Sequence, residues 1–281
     1  MYKEVIRKSL YSFKPVLFVP EILFLLTTIL ILIITLLTSG VLQFLMNYWT
    51  IIQTEAFPEL FVNFLKTNLF KVLSSLVFFF IVTFVVGVST TAMKFAMIRD
   101  IINSKKIKFR LSYGKEFFSR IVRLKVLVFL IYLIILFFGL SLINLVNYMN
   151  LSKWLILLAV LIFVLLAIMF SLSILFRYPV MFLNNKNAVV TLTESLFYTK
   201  NNKKHIVIVA LILFLTAILL SFLTALISTI SDLNASLIGG DSLILFITIF
   251  VILLNLLINT AFMIWKDIFL FYNFKLKKTI Y

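Results

Sequence analysis

The sequence predicts an all-α polytopic membrane helix bundle of about six transmembrane helices, with amphipathic elbows at the inner leaflet and both termini in the cytoplasm. Three observations carry that prediction. Several apolar runs exceed the roughly 18 residues that separate a spanning helix from a buried core helix. The chain is 63% hydrophobic and 13% charged, with a mean hydropathy of +1.19, whereas a soluble domain is roughly 45–50% apolar and about 25% charged. The basic residues gather in alternate connections. A membrane β-barrel would instead show short segments of alternating hydrophobicity.

The elements follow in order. Lys3, Arg7, Lys8 and Lys14 precede the first apolar stretch as they would in a signal peptide. That stretch runs from Pro15 to Met46, far beyond the roughly 7–15 residues of a signal core, and no small-x-small cleavage site follows, so it reads as a retained span. Pro15 and Pro20 keep the residues before them out of helix. The first helix therefore breaks or begins near Pro20, and a short amphipathic piece ahead of it is expected along the inner membrane surface. The spans fall near 21–47, 72–98, 124–147, 154–176, 206–230 and 243–265, so that 1–281 forms a single integral membrane domain.

Orientation rests on Lys and Arg, which are retained on the cytoplasmic side. With the N-terminus inside, the inner segments hold 23 of the 26 basic residues, leaving Lys66, Lys71 and Lys153 outside. Shifting the parity by one span would move many charges to the far side. Aromatic belts agree independently: Tyr48, Trp49, Tyr148 and Trp154 mark the outer headgroup level, and Tyr11, Tyr113, Tyr178, Trp265 and Tyr272 the inner one.

Three connections are long enough for structure. Outside, Phe57-Pro58-Glu59 followed by Leu60, Phe61, Phe64 and Leu65 at helical spacing reads as an interfacial amphipathic helix. Inside, Lys105 to Lys125 alternates at first and turns helical after Gly114, with Phe117, Phe118 and Ile121 on one side. The second inner elbow, Asn187 to Thr199, is expected to turn Val190, Leu192 and Leu196 toward lipid. Each elbow carries a Glu, Glu116 and Glu194, 78 residues apart, which suggests an internal repeat or simply the basic loops any such bundle needs.

Reaction machinery is nearly absent from the sequence. There is no cysteine, hence no disulfide, thiolate ligand or thiol nucleophile. The single histidine, His205, reads as an ordinary interfacial residue; Gly114-Lys115 lacks the rest of a phosphate loop, and no Gly-x-Ser-x-Gly occurs. No catalytic residue, metal site or cofactor is expected. Charges near the hydrocarbon are costly and need partners. Glu21, Lys94 and Arg177 are the intramembrane candidates, and matching depth suggests a Glu21–Lys94 pair. Polar stripes at Thr83, Gly87, Thr90 and Lys94, at Ser221, Thr224 and Ser228, and at Asn255 and Asn259 suit close helix packing or, alternatively, a transport path.

The basic collar is the most informative chemical feature. Lys105, Lys106, Lys108, Arg110, Lys115, Arg120, Arg123 and Lys125 lie within 21 residues, and Lys203 and Lys204 flank the fifth span. Such clusters attract anionic headgroups by about 1 kcal/mol per basic residue, although cytoplasmic retention alone also produces them. Anionic membrane lipids are the expected partners, with a homo-oligomer or another membrane protein open. Nucleic acid is not expected despite the net charge of +16, because the charges flank spans. These features together suggest a non-enzymatic cell-membrane protein that engages or organises lipid at the inner leaflet; the alternative is a small-solute transporter or channel subunit.

One run carries a family resemblance: Phe176-Arg177-Tyr178-Pro179, Asn187-Ala188, Glu194-Ser195 and Lys200-Asn201. It resembles the six-helix membrane domain joined to some glycerophosphodiester phosphodiesterases and found in related uncharacterised prokaryotic families. There, an inner proline is followed by an amphipathic helix bearing a Ser and then a basic-Asn start to the next span. The resemblance covers the last half of the chain. It implies the architecture and a Ser195 that caps or packs the elbow; the known chemistry of those proteins belongs to the attached soluble domain.

Overall fold

A computed structural model describes residues 2–52, 56–105, 107, 111–148, 153–237 and 241–279. Eleven α-helices are present among them: α1 (Tyr2–Tyr11), α2 (Phe18–Thr38), α3 (Val41–Asn47), α4 (Phe57–Thr67), α5 (Leu69–Ile102), α6 (Phe118–Tyr148), α7 (Lys153–Ser173), α8 (Arg177–Asn184), α9 (Ala188–Asn201), α10 (Lys203–Leu237) and α11 (Asp241–Thr279). No strand occurs among the described residues. Six helices are long and apolar enough to cross a membrane, so the chain is an all-α polytopic bundle.

The spanning helices pair as α2 with α5, α6 with α7 and α10 with α11. Only 6–17% of the most apolar window of each span is buried within the chain, which leaves most of the lateral surface to lipid. In hydrocarbon this exposure costs little, because lipid tails are as apolar as Leu. Burial matters where helices emerge toward water, and the core sits there. Met97, Ile98, Phe117, Ile121, Phe182 and Phe271 are all fully buried at the basic end of the bundle, where α5 finishes and α6 begins. Rings stack closely in this core, with Phe117 and Phe182 centroids 4.2 Å apart and Phe95 and Tyr178 4.3 Å apart. A second cluster joins Val5 of α1 to Val180, Ile206 and Phe269.

Several helices differ from the spans drawn on hydropathy. α5, α6, α10 and α11 hold 34, 31, 35 and 39 residues, and at about 1.5 Å per residue each outruns a hydrocarbon core of roughly 30 Å. Hydropathy ends where charges begin, whereas the hydrogen-bonded helix continues through them. The first span, expected over 21–47, is two helices. Gly40 adopts φ +76, a left-handed backbone that glycine takes without steric cost, and separates α2 from α3. Beyond it α4 forms with Pro58 in its first turn, and Phe57, Phe61 and Phe64 of α4 surround Phe44 of α3.

The elbows also depart from expectation. Gly114, at φ +78, opens a short 3-10 turn (Lys115–Phe117) that runs directly into α6. Phe117 and Ile121 are therefore core residues and not a surface stripe. The second elbow is the separate helix α9, which ends at Asn201 before α10 begins at Lys203, whereas the first runs unbroken into its span. In α9, Val190 and Leu196 are exposed as expected, but Leu192 is buried with Ala188, Thr191 and Ser195. Spacings of three and four put those four side chains on one face, and small residues let that face approach its neighbours. α1 docks on α11 with Val5 and Ser9 fully buried, leaving Lys3, Arg7 and Lys8 exposed.

Candidate functional site

Lys94 organises the polar interior of the basic end. Its Nζ lies 2.7 Å from Glu21 Oε1 of α2 and 2.7 Å from Asp267 Oδ2 of α11, and 5.0 Å from the centroid of the Phe95 ring. The three side chains, in the order Lys94, Glu21 and Asp267, are 13%, 22% and 11% exposed, so the ions are largely removed from solvent and held by one another. The structure thus brings Glu21 and Lys94 together and adds a second carboxylate. Asp267 escapes a hydropathy reading because the apolar run of the sixth span ends at Trp265. Carried on to Thr279, α11 places Asp267 within its length at the depth of Lys94.

Lys125 departs furthest from its sequence reading. It is not a collar residue: its Nζ donates to Gly87 O of α5 at 3.4 Å and lies 6.0 Å from the Phe84 ring. Gly87 is seven residues farther along α5 than Lys94 from the basic end, a step of about 10 Å. The reason is the early start of α6 beside Ala92, which carries residue 125 two turns into the bundle. Among the described residues Lys125 has no carboxylate within 4.0 Å, while Lys94 and Arg177 act on it as like charges. Arg177 donates to Ile174 O at 3.2 Å and lies over Tyr178 at 4.9 Å. The neighbourhood therefore holds three cations and two carboxylates, and both carboxylates contact Lys94.

Two adjoining hollows meet at Lys125. One, of about 240 Å³, is lined by Glu21, Thr90, Thr91, Lys94 and Lys125. The other, of about 570 Å³, is almost wholly apolar, with Phe80, Ile81, Phe84 and Val85 among its walls. Phe24, Gly87 and Lys125 line both. The stripe predicted on α5 faces this space, since Thr83, Gly87, Thr90 and Lys94 all contribute to one hollow or the other.

The described remainder of the collar is largely exposed. Lys105, Lys115, Arg123, Lys203 and Lys204 are exposed and form no ion pair among the described residues. Lys106, Lys108 and Arg110 lie outside the described residues. Arg120 donates to Asn185 and covers the Phe117 ring at 5.4 Å. Beside it is a network that sequence reading missed: Arg99 reaches Asp100 at 3.0 Å and Glu116 at 3.1 Å, and Tyr113 donates to Asp100. Burial, followed by that hydrogen bond and the Asp100 charge, pushes the Tyr113 phenol up to about 12.

His205 is a core residue rather than an interfacial one. It is 5% exposed, its Nδ1 is 2.8 Å from the Tyr2 hydroxyl, and its ring stacks on Tyr2 at 5.6 Å. Tyr2 of α1, Phe176 and Tyr198 all pack around the ring. Burial raises the titration of both Tyr2 and Tyr198 above that of a free phenol. Ser195, fully buried, donates to Ser173 O at 3.0 Å, and Thr199 donates to the same carbonyl at 3.1 Å. These bonds tie α9 to the last turn of α7, where helix carbonyls lack partners. The other stripes serve α10 and α11: Asn255 Nδ2 donates to Ser228 Oγ at 3.2 Å, whereas Ser221 and Asn259 are exposed.

No family model, curated protein or solved structure matches the chain. The site must be read from its own chemistry. No cluster of three or more potential metal ligands occurs among the described residues. What the arrangement offers is an excess of half-buried positive charge beside an apolar crevice.

Proposed function

We propose that this chain is a non-enzymatic, multi-pass protein of the cell membrane, with both termini cytoplasmic, that engages anionic lipid at the inner leaflet. The observation that carries the reading is that Lys105, Lys115, Arg123, Lys203 and Lys204 are exposed at the end where the protein core lies and form no ion pair among the described residues. Basic side chains at that level attract anionic headgroups by about 1 kcal/mol each. The test is the lipid co-purified from nanodiscs of mixed phosphatidylglycerol and phosphatidylcholine. Enrichment of phosphatidylglycerol around the wild type, lost when those five residues become Gln in a folded protein, supports it; equal enrichment in both refutes it.

Transport of a small solute is the second reading, favoured by Thr90 and Thr91 in one hollow with Glu21 and Lys94. It requires Thr90→Val to change solute flux into proteoliposomes while leaving thermal stability unaltered.

A further inference from the structure

We infer that the junction of α2, α5 and α6 is a binding site for one small-headgroup anionic phospholipid, whose phosphate pairs with Lys125 and whose acyl chain occupies the crevice beyond it. The inference rests on the lipid reading above and narrows it to a site that uses none of the exposed collar residues.

Charge points there first. A lysine in a span normally snorkels to the interface or finds a carboxylate. Lys125 has no carboxylate within 4.0 Å among the described residues: its ammonium makes one long contact, 3.4 Å, to a backbone carbonyl. The two nearby carboxylates both contact Lys94 at 2.7 Å. An ammonium has three donors to satisfy, and in this setting a phosphate oxygen answers both the unused donors and the excess charge.

Shape and polarity point the same way. The polar hollow lies toward the basic end, at Thr90, Thr91 and Lys94, and the apolar one lies away from it, at Phe80 and Phe84. A phospholipid of the leaflet at the basic end has the same order, headgroup first and chain toward the midplane. Its phosphate also meets the Thr91 side of the hollow, and about 240 Å³ admits a small head in preference to a bulky one. Gly87 keeps the passage between the hollows open. A Cβ there would stand 3.2 Å from the Phe24 ring, which walls both hollows.

The test is native mass spectrometry of the full chain released from phosphatidylglycerol and phosphatidylcholine nanodiscs. The wild type is expected to retain one phosphatidylglycerol, and Lys125→Gln to lower its occupancy by about tenfold or more, as loss of a charge-assisted hydrogen bond requires. Lys125→Arg keeps the adduct. Phe80→Trp fills the crevice without altering any charge and should also expel the lipid, so it decides the matter if Lys125→Gln fails to fold. Inorganic phosphate in excess leaves the adduct in place, which separates a lipid from a free anion. The five-residue collar variant retains the single adduct even where bulk enrichment is lost. An adduct that survives both Lys125→Gln and Phe80→Trp, or that is displaced by inorganic phosphate, overturns the site; loss of enrichment in the collar variant beside such an adduct would leave the general lipid reading intact.

Discussion

Replacing Lys94 with Met leaves Glu21 and Asp267 facing one another without the cation between them. At 2.7 Å each contact supplies gross attraction of about 6 kcal/mol at an effective dielectric near 20. Desolvating three ions offsets most of that. The measurable loss is the cost of stranding buried carboxylates, about 3–5 kcal/mol. Glu21, at 22% exposure, regains more water than Asp267 at 11%, so Asp267 should carry the larger share. On the scale of soluble domains this is a fall in melting temperature of roughly 6–20 °C, read by following aggregation or tryptophan fluorescence in detergent. Combining Lys94→Met with Glu21→Gln and Asp267→Asn in one triple variant should restore most of the loss, because no member of the triad is then left charged. A Lys94→Met protein as stable as wild type, or a triple variant as unstable as the single one, would refute the triad as a mutually compensated unit.

Further expectations follow from the surrounding contacts. Gly114→Ala should destabilise strongly: its φ is +78, and the added Cβ would lie 2.4 Å from Ala92 O, a backbone atom that cannot move aside. Left-handed backbone alone costs a residue with a side chain about 1–2 kcal/mol, so reduced yield and an earlier thermal transition are the readouts. Tyr113 should titrate late in ultraviolet absorbance, near pH 12 rather than 10, and Tyr113→Phe should remove one tyrosine's share of the late absorbance while that of Tyr2 and Tyr198 remains. Because its folded pKa is raised, the stability from the Tyr113–Asp100 contact is fully present below pH 10 and is lost as pH rises toward about 12. Val5→Glu should undock α1, since Val5 is fully buried, and so make the peptide bonds after Lys3, Arg7 and Lys8 accessible to trypsin in the otherwise folded protein.

The bundle is legible in the sequence because hydropathy reports directly on lipid: six apolar runs correspond to six spanning helices. Glu21 and Lys94 are legible too, since charges at the edge of hydrocarbon are few and their depths can be compared. What stays hidden depends on where each helix begins and ends relative to its neighbours. Asp267 and Lys125 both read as cytoplasmic, yet one lies in the body of a 39-residue helix and the other two turns into α6. Hydropathy averages cannot register a helix that continues through its charges. His205 misleads for a different reason: the rings packed around it come from Tyr2, some 200 residues earlier in the chain, and from Phe176 as well as the nearby Tyr198. Leu192 shows the same limit at short range, because the small residues sharing its face determine which side of α9 packs inward.

The lipid site at Lys125 is tested most directly by a structure determined in nanodiscs that contain phosphatidylglycerol. Lipid density is expected between α2, α5 and α6, with its phosphate within about 4 Å of Lys125 Nζ and its chain running along Phe84 and Phe80. A crevice closed by its own side chains, with Lys125 turned onto Glu21 in place of a ligand, would contradict it.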